Sequence, residues 1–293
     1  IPRPMDALIA LPRGPDRLGH EIVMPSAQTA PVVVASPHSG SHYPAEFLAA
    51  SRLDGRQIRR SEDSYVDAIV AGAPAVGAPL IRALFARAYV DVNREAFELD
   101  PSMFEDELPA YVKTRSPRIS AGLGTLARVV ASGQEIYARK LRFAEALARV
   151  DLVHRPYHAA LNELVAATVR KFGHCVLVDA HSMPSAGGSF EWDAAGADIV
   201  LGDCHGGACD PLVMTTASHL LTGLGYSVAL NEPYPGGYTT RHYGRPGDGV
   251  HALQIEINRS LYMNEATFEP RRRLAALAGD MARLLQELAG LSP

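Results

Sequence analysis

The 293-residue chain is 47% hydrophobic and 20% charged, which is an ordinary composition for a globular protein. Its formal net charge of −4 gives no electrostatic basis for binding nucleic acid or an anionic membrane surface. The three cysteines are too few for a disulfide framework. Because no apolar run is long enough to cross a bilayer and the N-terminus lacks the order of a signal peptide, we expect a cytoplasmic protein.

In chain order, the first part of the sequence predicts short strands separated by loops. Residues 1–30 are rich in Pro and Gly and predict an extended lead-in. An apolar run predicts the first strand over 31–37, and apolar positions at helical spacing predict a helix over 62–73. Strand-like segments follow at 80–81 and 89–92.

The rest of the sequence alternates more regularly between helices and strands. Residues 95–125 are irregular, and so long a stretch is typical of a functional loop. From 134 to 171 the composition predicts two helices, broken near Pro156. The remaining predicted elements are a buried strand at 176–178, a strand at 198–203, a helix over 209–222, a strand at 226–230, a glycine-rich loop at 235–246, a strand at 250–257 and an amphipathic helix over 265–288.

Strands that alternate with helices favour a three-layer α/β fold, in which helices cover both faces of a central sheet. Neither an internal repeat nor a linker divides the sequence, so we expect a single domain over residues 1–293. In open α/β sheets ligands bind at the carboxyl ends of the strands, and we expect the functional site there.

Histidines follow two of the predicted strands. His38 comes directly after the strand at 31–37, and His181 follows the run at 176–178. A single histidine at a strand end is more often a hydrogen-bonded structural residue than a ligand. Two of them on separate strands, each followed by serine, favour a zinc site, since neutral imidazole is a common Zn²⁺ ligand.

A catalytic zinc ion needs a third protein ligand and an open position for water. We predict that Asp63 is this ligand, with Glu62 as the alternative. Both stand at the start of the predicted helix over 62–73, where an acidic residue also suits the helix dipole without any metal.

Glu256 interrupts an otherwise apolar strand, where an unpaired carboxylate would be costly. One interpretation is a buried ion pair with Arg259 or Arg245. The other is a catalytic group that takes a proton from metal-activated water and later delivers it to the leaving nitrogen. The position alone leaves both roles open.

Two arginines stand at positions from which they could reach a substrate, one after a predicted strand and one in a loop. Asn93-Arg94 comes after the strand-like segment at 89–92, and Arg241 lies in the glycine-rich loop. A guanidinium group can bind a carboxylate through two parallel hydrogen bonds, whereas a surface ion pair is the commoner role of any one arginine. Neither a nucleotide-binding fingerprint nor a GxSxG elbow is present, which disfavours nucleotide binding and a serine hydrolase.

The chain resembles the N-formylglutamate amidohydrolase (N-formylglutamate deformylase) family in an ordered set of stretches: SPHSGSHYP at 36–44, EDSYVD at 62–67, YVDVNR at 89–94, VDAHSMPS at 178–185, DIVLGD at 198–203, GGYTTRHYGRP at 236–246 and LQIEINRSLYM at 253–263. The resemblance implies a mixed sheet between helices, akin to the zinc carboxypeptidases and aspartoacylase. It also implies one zinc ion at the strand ends.

The order of functional residues in those relatives implies a role for each matching position. His38, Asp63 and His181 would be metal ligands. Asn93-Arg94 would bind a substrate carboxylate, and Glu256 would be the catalytic residue. The sequence departs from the relatives at the second ligand. Their first two ligands form a short HxxE, whereas Ser41 stands three positions after His38. A carboxylate ligand must then come from farther along the chain, which is where Asp63 lies.

We therefore expect a zinc amidohydrolase whose partner is a small N-acyl acidic amino acid, with N-formyl-L-glutamate as the first candidate substrate. Arg94 and Arg241 would bind its two carboxylates. One alternative is a zinc enzyme of the same fold that acts on another N-acyl amino acid or a short peptide. Another is a non-catalytic protein that binds an acidic ligand, although the two histidines and Glu256 argue against it.

Overall fold

The structure is a computed structural model that describes residues 19–185 and 196–293, so that most of the predicted lead-in, residues 1–18, lies outside the described residues. Within these ranges the strands are β1 (His20–Val23), β2 (Val32–Ser36), β3 (Leu80–Ala83), β4 (Cys175–Met183), β5 (Ile199–Gly202), β6 (Val228–Leu230) and β7 (Val250–Asn258). They form one sheet in the order β1-β3-β2-β4-β7-β5-β6.

The helices in the same part of the chain are α1 (Ala45–Ala50), α2 (Val66–Ile69), α3 (Pro117–Ser120), α4 (Phe143–Arg149), α5 (Arg155–Phe172), α6 (Pro211–Gly223), α7 (Tyr238–Tyr243) and α8 (Arg273–Ala289). Short 3₁₀ segments span Ile58–Ser61, Ala73–Val76, Pro101–Met103, Pro246–Asp248 and Arg259–Leu261, and a π-helical segment spans Val150–His154. None of the described helices combines the length and the apolar character that a membrane span requires.

The sheet is mixed, as the resemblance implies. β3, β2, β4 and β7 are mutually parallel, while β1 pairs antiparallel with β3, and β5 pairs antiparallel with β7. The carboxyl ends of β2, β4 and β7 consequently meet at one edge of the sheet. This edge is the expected place for a ligand site.

Helices cover both faces of the sheet. Successive side chains on a strand point to opposite faces, so Leu177 and Val178 enter different cores. Leu177 packs in the core that contains Leu161 of α5, and Val178 packs in the core that contains Leu277 of α8. The three-layer α/β fold predicted from the alternation of elements is confirmed.

The predicted strands at 31–37, 176–178 and 250–257 correspond to β2, β4 and β7, although β4 continues as far as Met183. The predicted strand at 89–92 is wrong. The backbone N–H groups of Tyr89 and Val90 donate to the carbonyl of Ala86, so the segment forms turns instead of a ladder. Its apolar side chains are buried nonetheless, because a short apolar run indicates burial without fixing the backbone conformation.

Other predictions also differ from the structure. The helix predicted over 265–288 begins only at Arg273, and the predicted glycine-rich loop at 235–246 contains α7. The helix predicted over 62–73 is reduced to α2, with Glu62 and Asp63 before it. The predicted break near Pro156 is wrong, since α4 continues through the π-helical segment into α5, and Pro156 lies in the first turn of α5, where a missing N–H is best tolerated. Residues 20–23, within the predicted lead-in, form the edge strand β1.

Candidate active site

The sheet face that packs against α5 changes from apolar to polar at the carboxyl ends of β4 and β7. Asp179 and His181 continue the inward-facing row of β4, and Gln254 and Glu256 continue that of β7. His181 and Glu256 are direct neighbours in the register of the two strands. Because residues two apart on a strand share a face, all four polar side chains point to the same side of the sheet.

Two loop residues complete this polar cluster. His38 follows the end of β2, the strand next to β4. Asp63 is held beside it by a backbone hydrogen bond of 3.0 Å, in which the Asp63 N–H donates to the carbonyl of His38. Both side chains are buried, so their polar atoms must find partners within the protein and not in water.

Three atoms from His38, Asp63 and His181 converge on one point. His38 Nδ1 lies 3.0 Å from His181 Nδ1 and 3.5 Å from Asp63 Oδ2, and His181 Nδ1 lies 3.3 Å from Asp63 Oδ2. In a tetrahedral zinc site with bonds of about 2.0–2.2 Å, ligand atoms stand about 3.3 Å apart. The buried trio could therefore hold a metal ion of this size with little rearrangement.

The far nitrogen of each imidazole faces a carboxylate. His38 Nε2 lies 2.7 Å from Asp91 Oδ1, and His181 Nε2 lies 3.1 Å from Asp179 Oδ1. A carboxylate at this position favours the tautomer that carries its proton on Nε2, which leaves the Nδ1 lone pair for a metal. Two Nδ1 lone pairs at 3.0 Å repel each other unless a cation lies between them, so the donor set itself fits a metal.

The surrounding charges also favour a cation at this point. Burial lowers the pKa of His181, but the Asp179 and Asp63 carboxylates outweigh it and raise that pKa well above the ordinary value. Burial opposes ionisation of Asp63, yet hydrogen bonds to His181 and His38 and the charge of Arg259 hold its pKa well below the usual range. Asp63 therefore remains an anion although it is buried.

Asp63, not Glu62, faces the two histidines. The Oδ1 atom of Asp63 accepts hydrogen bonds from Arg259 at 3.0 Å and from the Ser182 hydroxyl at 3.1 Å. These bonds fix the carboxylate and leave Oδ2 directed at the histidines. The Glu62 carboxylate is occupied elsewhere, where it accepts two hydrogen bonds from Arg59.

Glu256 lies on the cavity wall and forms neither of the ion pairs considered from the sequence. Arg259 pairs with Asp63, and Arg245 pairs with the aspartate three positions after it. One Glu256 oxygen accepts a hydrogen bond from Gln254 Nε2 at 3.0 Å. Burial raises the pKa of Glu256 to about 7, and a carboxyl group with this pKa can accept and donate a proton near neutral pH.

A cavity of about 430 Å³ lies over these groups. Among the described residues, four arginines line it: Arg87, Arg94, Arg118 and Arg259. Arg241, on α7, is exposed and is not part of the lining. So many cations around one cavity suit a ligand that carries negative charge.

Asn93 and Arg94 both line the cavity, but they differ in the donors that remain available. Asn93 Oδ1 accepts the Thr239 N–H at 2.7 Å and its Nδ2 donates to Asp179 Oδ2 at 3.4 Å, so this side chain is used within the protein. Arg94 donates from Nε to the Leu123 carbonyl at 2.8 Å and from Nη1 to the Asn93 carbonyl at 2.7 Å, and it keeps one N–H on Nη1 and the N–H groups of Nη2 for a ligand. Burial lowers the pKa of Arg94 to about 10, which leaves it charged at neutral pH.

Gly237 allows the glycine-rich loop to pack directly on this site. A Cβ atom at position 237 would lie 2.4 Å from Asn93 Nδ2, which no side chain can accommodate. The Gly237 N–H donates to Gln254 Oε1 at 2.6 Å, and Gln254 donates in turn to Glu256. The loop therefore helps to fix the carboxylate on β7.

Several residues of the site were not singled out by the sequence analysis. Asp91 contacts His38 and forms an ion pair of 2.8 Å with Arg87. As an acidic residue within an apolar run it carried the same signal as Glu256, and this signal could have identified it. Arg118 comes from the irregular stretch at 95–125, where no periodicity marks an inward-facing position.

Comparison with known proteins places this site in a family. The family model described as N-formylglutamate amidohydrolase matches residues 30–263. An N-formylglutamate deformylase from Pseudomonas aeruginosa is 30% identical over 261 residues, which cover 88% of this chain and 91% of that relative. The chain belongs to the N-formylglutamate amidohydrolase family. It is therefore an enzyme that hydrolyses an amide bond.

Two other proteins support the family assignment. An N-formylglutamate deformylase from Pseudomonas putida is 26% identical over 238 residues, which cover 80% of this chain and 82% of the relative. The crystal structure of N-formylglutamate amidohydrolase from Ralstonia eutropha JMP134 superposes with a TM-score of 0.86 at 35% identity, and covers 93% of this chain and 98% of that one. This amidohydrolase thus shares its fold with that solved structure over nearly the whole length of both chains.

Proposed function

We propose that this amidohydrolase is a zinc-dependent deformylase that converts N-formyl-L-glutamate to formate and L-glutamate. The relatives from both Pseudomonas species are named N-formylglutamate deformylase. The observation that carries the proposal is the buried trio of His38, Asp63 and His181 beside Glu256, in a cavity lined by arginines.

One zinc ion would be held by His38 Nδ1, Asp63 Oδ2 and His181 Nδ1, with a fourth position open. When bound, the ion supplies Lewis-acid polarisation of the formyl carbonyl and lowers the pKa of water to about 7. Asp91 and Asp179 keep the two imidazoles in the required tautomer.

Glu256 moves the protons of the reaction. Its carboxylate takes a proton from the attacking water and gives it to the amide nitrogen as the C–N bond breaks. Burial makes this carboxylate a stronger base than an exposed glutamate, and the hydrogen bond from Gln254 fixes its orientation.

Arg94 is suited to bind the α-carboxylate of the substrate. In an N-formyl amino acid this carboxylate is attached to the carbon that bears the reacting nitrogen, so it must lie close to the metal. Arg94 directly follows Asn93, whose side chain touches His181. Arg241, which is exposed and lies outside the lining, would act farther out.

The substrate assignment predicts formate and L-glutamate in equal amounts from N-formyl-L-glutamate. We expect zinc-loaded enzyme to turn over N-formyl-L-leucine at least about 100-fold less efficiently, since the cation that would bind the side-chain carboxylate then lacks its partner. Formate is measured enzymatically and glutamate by chromatography. A zinc-loaded preparation that leaves N-formyl-L-glutamate intact contradicts the assignment.

The protonation of Glu256 predicts an acidic limb in the pH profile. The base must be ionised, so kcat/KM is expected to fall tenfold per pH unit below its pKa, which burial raises to about 7. A cation held by the trio favours the ionised form, which places the midpoint at 7 or lower. Rates are measured between about pH 5 and pH 9 with zinc in excess. A profile that stays flat across this range contradicts the role of Glu256.

A further inference from the structure

Among the four cavity arginines, Arg118 differs from the others in its partners. Arg87 and Arg94 lie beside Asp91, and Arg259 pairs with Asp63. Arg118 forms no side-chain hydrogen bond or ion pair with any residue of the described ranges. A partly buried guanidinium without an anion retains all five of its N–H donors for a ligand.

The neighbouring charge makes this arrangement costly unless an anion binds. Burial lowers the pKa of Arg118, and the Arg241 guanidinium lowers it further, while the charges of Glu98 and Asp91, which form no ion pair with it, raise it without outweighing these effects. Arg241 likewise forms no ion pair within the described part of the chain. A carboxylate that binds beside Arg118 relieves the repulsion between these two guanidinium groups.

The loop holds Arg118 in place by its own contacts. The Ser116 hydroxyl accepts the Ile119 N–H at 3.1 Å and donates to Glu98, while the Arg118 carbonyl accepts the Leu123 N–H at 2.8 Å. Arg94 donates to the Leu123 carbonyl, which ties this loop to the metal side of the cavity. Arg118 is thus presented by a fixed segment.

The cavity wall beside Arg118 is apolar, with Ala121, Leu123 and Ala127 in the lining. The side chain of glutamate consists of two methylene groups that end in a carboxylate. The apolar wall would contact the two methylene groups, and the guanidinium of Arg118 would bind the carboxylate at their end. The α-carboxylate, in contrast, lies next to the reacting nitrogen and on the side of Arg94.

We propose that Arg118 is the specificity-determining residue that binds the side-chain carboxylate of the substrate, with Arg241 as the second cation. This inference rests on the proposed deformylase function and assigns the part of the cavity that selects an acidic amino acid. The site would discriminate N-formyl-L-glutamate from N-formyl-L-glutamine, whose side chain has the same shape and no charge.

The kinetic test compares these two substrates in zinc-loaded wild-type enzyme, Arg118→Ala and Arg118→Lys. We expect Arg118→Ala to lower the ratio of their kcat/KM values, glutamate over glutamine, by about 10- to 100-fold, because one charge-assisted pair is lost. Arg118→Lys should restore part of the ratio. Arg115→Ala is the matched control, since Arg115 lies in the same loop, is exposed and is not part of the cavity lining.

A ratio that Arg118→Ala leaves unchanged, or that Arg115→Ala lowers equally, overturns the proposal. Calorimetric binding of L-glutamate and L-glutamine separates this outcome from a failure of the proposed reaction. Wild-type protein should prefer L-glutamate whether or not it releases formate, and Arg118→Ala should lose the preference. Equal affinity of wild type for the two ligands, or a preference that survives in Arg118→Ala, counts against Arg118.

Discussion

His181→Ala is expected to lose both bound zinc and formate release. The substitution removes one of three ligands and leaves Asp63 and His38 without the geometry that fits a metal. Since loss of an outer-shell partner alone weakens metal binding about 10- to 100-fold, loss of a ligand should weaken it by more than 100-fold. Zinc is measured by elemental analysis after dialysis against a chelator.

Three further variants make this result specific. Asp63→Ala should behave as His181→Ala does, whereas Glu62→Ala should keep its zinc, because the Glu62 carboxylate binds Arg59. His174→Ala is a matched control at the opposite end of β4, where His174 contacts a backbone carbonyl. Zinc retained in His181→Ala, or lost to the same degree in His174→Ala, would contradict the proposed ligand set.

Glu256→Gln should reduce kcat by about 10²- to 10⁴-fold while its zinc content stays that of wild type. Glutamine has the same shape and can still accept the hydrogen bond from Gln254, but it cannot take a proton from water. The measurement is formate release at saturating substrate, together with zinc analysis of the same sample.

Glu287→Gln on α8 is the matched control for the loss of one carboxylate, since Glu287 is exposed and does not line the cavity. The role of Glu256 as the base is contradicted if Glu256→Gln retains kcat within about threefold of wild type. It is also contradicted if the acidic limb of the pH profile persists unchanged in this variant.

The central strands were predictable because each combines an apolar core with a polar carboxyl end. In β4 the residues Val176, Leu177 and Val178 indicate a buried strand, and His181 follows at its end. The same pattern failed at 89–92, where the Asp91 N–H donates to the carbonyl of Thr125, in a distant loop, and not to a neighbouring strand. A backbone partner 34 residues farther along the chain (125 − 91) leaves no trace in local periodicity.

The candidate site shows the same division between local and tertiary information. His38 stands out because it directly follows a predicted strand, where ligands bind. Glu256 stands out because a charged residue within an apolar strand is costly unless it has a partner or a function. Arg118 does not stand out in the sequence. Its importance lies in the absence of an ion-pair partner among the described residues, and this absence depends on which residues surround it in the fold. The pairing of Arg259 with Asp63 instead of Glu256 likewise follows from tertiary packing.

The most direct test of the metal-dependent account removes the metal and restores it in one preparation. Zinc content is measured alongside formate release from N-formyl-L-glutamate, before chelation, after chelation and after addition of one equivalent of zinc. We expect about one zinc ion per chain, loss of activity with loss of the ion, and recovery on reloading. Full formate release from metal-free protein would contradict the account.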